Sequence, residues 1–106
     1  SRIIAEPEAG TLTLTLTAAS TLVGGTKVAV TEALGSGNSY LLKKNATVPR
    51  LNTVLTAGVD GWTAYTEGAE IAAIVGETIT VVEITAAGKV VKGGTNVVES
   101  GEVKSS

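Results

Sequence analysis

Glu67, Glu70, Glu77 and Glu83 are the side chains of this sequence best suited by type to do chemistry. Two carboxylates facing each other across a cleft can share acid and base work on a glycosidic bond. Glu67 and Glu70 are close along the chain, and Glu77 and Glu83 flank or lie on an apolar run. Nothing in the spacing forces either pair to converge, and charges on a single sheet ordinarily form a solvated face. Composition closes the other routes. The 106 residues include no histidine and no cysteine, so the usual general base, the commonest transition-metal ligand and thiolate chemistry are missing. The serines stand outside any Gly-x-Ser-x-Gly or Ser-x-x-Lys setting, which leaves them without an activating base. Asp60 is the only aspartate, so a calcium loop of the Asp-x-Asp-x-Asp-Gly type is absent. The expectation is a chain that is not an enzyme, with no cofactor and no metal.

Binding chemistry has a few candidates. Lys43, Lys44 and Arg50 form a small basic stretch, but it lacks the interleaved aromatics on which nucleic-acid bases stack. Net charge is −2, and nucleic-acid binders carry a basic patch instead. Trp62 and Tyr65 would suit a sugar platform, yet their odd spacing sends them to opposite faces of a regular strand. One then anchors the core and the other meets an interface or the rim. Asn45-Ala46-Thr47 matches the glycosylation sequon, a pattern frequent by chance. Thr-x-Thr rows bind ice when repeated on a flat solenoid, but only one segment here has them.

The segment that must organise these residues is Thr11-Leu-Thr-Leu-Thr-Leu-Thr17. A period of two places Leu12, Leu14 and Leu16 on a core face and Thr11, Thr13, Thr15 and Thr17 on the other. This predicts one strand over 11–18. Further strands are predicted at Lys27–Thr31, Ser39–Lys43, Trp62–Thr66, Glu70–Val75 and Thr78–Thr85. Gly24-Gly25, Gly35–Asn38 and Asp60-Gly61 read as turns. In Thr78–Thr85 the face carrying Val82 and Ile84 is the more apolar and is expected inward. Ala86-Ala87-Gly88 turns the chain into Lys89–Lys92, and Gly93-Gly94 is read as a second turn into Thr95–Glu99. Val23-Gly-Gly-Thr-Lys-Val28 and Lys92-Gly-Gly-Thr-Asn-Val97 echo each other, which shared hairpin chemistry explains. Leu51, Val54 and Leu55 have helical spacing and would fit one helical turn.

The fold expected is therefore all-β: a single small Ig-like sandwich or partly open barrel of about seven or eight short strands. Residues 1–10 are expected as an N-terminal arm, 11–99 as the β domain and 100–106 as a flexible tail. With no Phe, no Met and one Trp, the core must be built from small aliphatics, each burying less area than an aromatic. Association with copies or a larger body is a common remedy. Ile3 and Ile4 in the arm, Thr13 and Thr15 on the threonine face, and Trp62 are the candidate interface residues. No apolar run approaches the about 18 residues of a membrane span.

Several motifs also carry a family resemblance over residues 26–98. They are Asn38-Ser39-Tyr40, Val48-Pro49, Gly61-Trp62-Thr63-Ala64, Thr78-Ile79-Thr80-Val81-Val82-Glu83 and Gly88-Lys89-Val90-Val91-Lys92-Gly93-Gly94. As an ordered set this resembles small tailed-phage and prophage virion domains, those of head fibres and capsid decoration proteins. The resemblance implies a non-enzymatic homo-oligomer, with a trimer favoured, bound to the major capsid protein. It places the chain on the capsid surface of a virion assembled in the host cytoplasm. The chain is shorter than a full head fibre, which would make it the capsid-binding base or a fragment. The alternative function is an Ig-like carbohydrate- or cell-surface-binding module.

Overall fold

The computed structural model describes residues 8–106. These form eight strands in two sheets, with no helix and no closed barrel among the described residues. The strands are β1 (Gly10–Thr11), β2 (Leu14–Ala18), β3 (Gly25–Val30), β4 (Ser39–Lys44), β5 (Thr63–Tyr65), β6 (Glu70–Ala72), β7 (Thr78–Ile84) and β8 (Val90–Val97). One sheet has the order β1-β8-β7-β4-β5 and the other β2-β3-β6. All pairs are antiparallel except β1 with β8.

The Thr-Leu alternation predicts burial correctly, since Leu12, Leu14 and Leu16 are buried between exposed threonines. It does not form the single strand expected over 11–18. Gly10 and Thr11 pair with Lys92 and Gly93 of β8, and the Leu12 N–H donates to the Gly93 carbonyl at 2.9 Å. Two residues later Leu14 pairs with Val30 in the other sheet. The chain thus crosses from sheet to sheet at Leu12-Thr13, a corner of the kind packed sheets need. Asn96 ties the corner by donating its side-chain amide to the Leu14 carbonyl at 2.9 Å.

The main core fills the space between the sheets with Leu12, Leu14, Leu16, Val28, Leu42, Ile79 and Val81. Each such side chain contributes about 1.5–3 kcal/mol relative to an exposed one. The expectation that only the Val82–Ile84 face of β7 turns inward is corrected here. Ile79 and Val81 enter the main core, while Val82 and Ile84 join Leu41, Trp62 and Val90 in a second cluster on the outer face. Residues 45–62 leave β4, run over that face and cover it with Ala46, Val48 and Leu55. The central strand is buried on both sides, and its buried polar members are bonded: the Thr80 hydroxyl donates to the Ala46 carbonyl at 2.6 Å, and Glu83 accepts from Gly35 and Asn38. The helical turn considered for Leu51–Leu55 does not form. Those residues are held by backbone bonds to the start of β8 and to the β7–β8 turn, Asn52 N–H to Val90 and Leu55 N–H to Gly88.

Gly93-Gly94 makes no turn; β8 runs straight through it. A Cβ on Gly94 would collide with the Leu12 carbonyl, and one on Gly93 with the Val48 side chain. The glycines permit close backbone approach where the crossing and the covering segment meet β8.

β1 runs parallel to β8, so the chain enters the sandwich at the end where β8 starts and passes the opposite end after Val97. The entry end carries the β3–β4, β5–β6 and β7–β8 connections. The exit end carries the β2–β3 and β6–β7 turns and residues 98–106. There Val103 packs on the main core, and Lys104 exchanges backbone bonds with Gly24 and Gly25. The molecule is elongated, 57 × 31 × 25 Å.

Candidate functional surfaces

Neither pair, Glu67 with Glu70 or Glu77 with Glu83, bonds to a common partner. Glu70, at the start of β6, reaches the β2–β3 turn. It accepts the N–H groups of Ser20 at 2.8 Å, Thr21 at 3.3 Å and Leu22 at 3.1 Å, and the Thr21 hydroxyl at 2.9 Å. Bonds from the Ser20 N–H, the Thr21 hydroxyl and the Leu22 N–H, the largest causes in that order, hold its carboxyl at about 2, far below the ordinary value. Glu77 accepts the Ile74 N–H at 2.8 Å in the β6–β7 turn and lies 3.7 Å from the Lys44 ammonium. Glu67 turns toward the Val30 N–H at 3.3 Å, near the entry end. Glu83 stands at the far end of β7 from Glu77. It is buried, at 2% exposure. One of its oxygens accepts the Gly35 N–H at 3.0 Å and the Asn38 side-chain amide at 2.7 Å, while Oε1 is buried without a partner among the described residues.

Glu32 repeats the pattern at the sheet crossing. It accepts the Thr13 N–H at 2.6 Å and the Thr13 hydroxyl at 2.8 Å. Its carboxyl is lowered first by that N–H and next by that hydroxyl. Carboxylates in this chain act as acceptors for loop N–H groups that strands leave unpaired. That role ties each acid to its own loop, while Glu32 and Glu67 line one groove and act together with Glu83 on Tyr40. Among the described residues no group of three or more His, Cys, Asp or Glu side chains could hold a metal ion.

The expected binding residues have equally local partners. Trp62 is 5% exposed and belongs to the outer-face cluster, with the Lys43 ammonium 5.8 Å from its ring centre. Its ring is therefore not presented as a sugar platform. Tyr65 lies on the other side of the sheet, in the main core, as odd spacing predicts. Its hydroxyl donates to the Val28 carbonyl at 2.6 Å, and burial pushes its pKa up to about 12. Tyr40 packs 5.7 Å from it, centre to centre, and is also raised, first by burial and then by the charges of Glu83, Glu67 and Glu32. Lys44 donates to the Ala72 carbonyl at 3.2 Å. Asn45, the sequon residue, has φ 58° and accepts the Thr78 N–H at 3.0 Å, so it serves a turn. Thr15 is exposed on β2, and Thr13 is exposed with its polar atoms bonded to Glu32. Ile3 and Ile4 lie outside the described residues.

Sequence reasoning missed two surface features. At the entry end, Val30, Leu34, Tyr40 and Tyr65 line a groove of about 480 Å³ whose rim includes Glu32 and Glu67. At the exit end, Leu22, Val23, Ile74, Val75 and Val97 are large aliphatic residues left exposed. Glycine-flanked Leu-Val and Ile-Val pairs were the available signal for the second. A further groove of about 530 Å³ beside β1 is lined by Glu8, Thr11, Thr47, Pro49 and Arg50 among others.

No protein-family model matches the chain, and no curated protein does either. Two solved structures resemble it over nearly its whole length. A crystal structure of domains 7, 8 and 9 of the S-layer protein SbsC superposes with a TM-score of 0.76 at 28% identity, covering 90% of this chain. A structure of SbsC domains 4–9 superposes with a TM-score of 0.72 at 27% identity, covering 92%. The chain spans 30% of the first and 15% of the second. These likenesses overturn the expected kinship with phage head fibres and capsid decoration proteins, and with it the virion location; they lend no support to the major capsid protein as partner. The motifs behind that expectation include Thr78–Glu83, on the central strand β7, and Gly88–Gly94, where β8 is closely approached by other segments.

Proposed function

We propose that this chain is a structural module of a bacterial cell-surface protein of the surface-layer kind, working by protein–protein contact and not by catalysis. The observation that carries the proposal is the likeness, over nine-tenths of the chain, to domains of a surface-layer protein. The side-chain chemistry supports it. Glu32, Glu67, Glu70, Glu77 and Glu83 each accept a hydrogen bond from a loop or strand N–H group of this chain. The aromatic rings that would serve a carbohydrate platform are inside the two cores. The surface includes a low-charge threonine face on β2 and exposed aliphatic residues, Ile74 and Val54 among them, and charge is depleted in the same way at interface centres.

The test is location. Antibodies raised against the chain are applied to intact and to permeabilised cells of its source and read by immunogold electron microscopy. The proposal predicts dense label on the outer face of unbroken cells. Label confined to the interior of permeabilised cells would overturn it.

A further inference from the structure

Glu83 is buried, at 2% exposure, yet only one of its carboxyl oxygens is served. Oε2 accepts the Gly35 N–H at 3.0 Å and the Asn38 side-chain amide at 2.7 Å. Oε1 has no partner among the described residues. A buried carboxylate oxygen without a donor is costly, so its neighbours matter. Ile79 and Val81 of β7 enter the main core, and Glu83, next in the same alternation, shares their face. Lys92 of β8 stands directly opposite Glu83 in the register, ahead of the irregularity between Glu83 and Ile84. Side chains directly opposite on antiparallel strands share a face and are near neighbours. On the other flank of β7, Tyr40 of β4 stands opposite Glu83 and closes that side from within the main core.

Lys92 is half-buried. Its stem lies against β1 at Gly10, where an added Cβ would be 3.1 Å from Lys92 Cγ. Its charge reaches the loop above Glu83, since it lowers the Glu32 carboxyl after the larger effects of the Thr13 N–H and hydroxyl. Among the described residues Lys92 has no ion pair or side-chain hydrogen bond. An amine, a buried carboxyl and a carboxamide are thus gathered on one face of the sheet.

We propose that Lys92 Nζ and the side-chain Cγ of Asn38 are joined by an amide bond that the folded chain makes itself, with Glu83 carrying the protons. Rotation of the Lys92 stem brings Nζ to Glu83 Oε1. Lys92 and Asn38 are then bonded to the two oxygens of one carboxyl, which sets Nζ beside Cγ. Groups held together in this way react as if highly concentrated. The ammonium passes one proton to Oε1, and burial favours the neutral amine and acid over two charges. The amine attacks Cγ, the Nζ–Cγ bond forms and the Cγ–Nδ2 bond breaks. Glu83 protonates the departing nitrogen, then relays to it the surplus proton of Nζ. Ammonium leaves and Glu83 ends as it began, a carboxylate. Nothing is oxidised or reduced, and no co-reactant enters.

The step happens once per chain, so it matures the fold and turns over no substrate. Its product ties the loop ahead of β4 to β8, across β7. The chain has no cysteine, and closing residues 38–92 into a loop restrains the unfolded chain as a disulfide would. The proposal goes beyond the reading as a surface-layer module and does not depend on it.

The experiment is intact-mass spectrometry of the purified full chain, held folded until its mass no longer changes, followed by tryptic peptide mapping. The expected mass is short of the sequence mass by one ammonia. The peptides holding Asn38 and Lys92 are expected as one branched species, uncleaved after Lys92. Lys92→Arg and Glu83→Gln are each expected at their full sequence mass, and the near-ultraviolet signal of buried Trp62 confirms that they fold. A wild-type chain at full mass overturns the proposal, whether or not a variant folds. So does an ammonia deficit that persists in Lys92→Arg, or one that maps to Asn38 alone, as a cyclic imide with the Ser39 nitrogen would give. A deficit kept in Glu83→Gln overturns the proton-carrying role. The immunogold test is independent of all these results.

Discussion

At Gly24 the backbone turns left-handed, with φ +80°, and nothing lies within 4 Å of where a Cβ would be. At Gly94 the chain runs on within β8, and the missing Cβ is where the Leu12 carbonyl sits. Both glycines belong to Gly-Gly-Thr-x-Val segments, Gly24 as the first residue of 24–28 and Gly94 as the second of 93–97. In the first, local conformation requires glycine, and Glu70 then fixes the loop through its N–H groups. In the second, a distant segment requires it: the crossing strand that joins the two sheets passes over β8. The two segments thus differ at their first glycine, left-handed in open space at Gly24 and packed on Val48 at Gly93, and agree at their second, since Gly25 in β3 and Gly94 in β8 each face a backbone carbonyl, of Ile71 and Leu12.

Substitutions can break this contrast. Gly94→Ala should cost most, about 3 kcal/mol or more, because a backbone carbonyl cannot rotate out of the way as a side chain can. Urea unfolding followed by Trp62 fluorescence measures the loss. Gly93→Ala meets the Val48 side chain instead, and should cost about 1–3 kcal/mol. The companion variant Val48→Ala relieves that clash, so the double variant should lose less than the two single losses added. Gly24→Ala, in open space but left-handed, should cost only about 1 kcal/mol. Thr13→Ala should fall below all three, since it removes one exposed hydroxyl bond to Glu32 while the Thr13 N–H bond remains. If Gly24→Ala proved costlier than Gly94→Ala, the steric account of β8 would fail.

The all-β class, most strand positions and the inward face of Leu12, Leu14 and Leu16 were legible because period-two alternation is a local signal. The sheet crossing at Leu12-Thr13 was not, because alternation says which face is buried and not which strand lies alongside. The same limit hid the second face of β7, which needs the covering segment 45–62 to become interior. Glu83 looked like a solvated strand charge. Its burial follows from Gly35 and Asn38, which reach it from a loop more than forty residues away in sequence. The candidate acids were found by type but misjudged in purpose, since their partners are backbone groups that carry no residue-type signature. Trp62 was singled out as a core or interface residue. Its place in the outer cluster depends on Val82 and Val90, strands away.

That the acids of this chain serve its own backbone is tested most directly at Glu70, by following its side-chain carboxyl by NMR as pH falls. A carboxyl depressed from 4.5 to about 2 favours the folded state above pH 4.5, and that contribution is lost as pH drops through about 2. The predicted result is a titration midpoint near 2, together with a fall in stability between pH 4.5 and 2 that is smaller in Glu70→Gln. A Glu70 midpoint at or above 4.5 would contradict it.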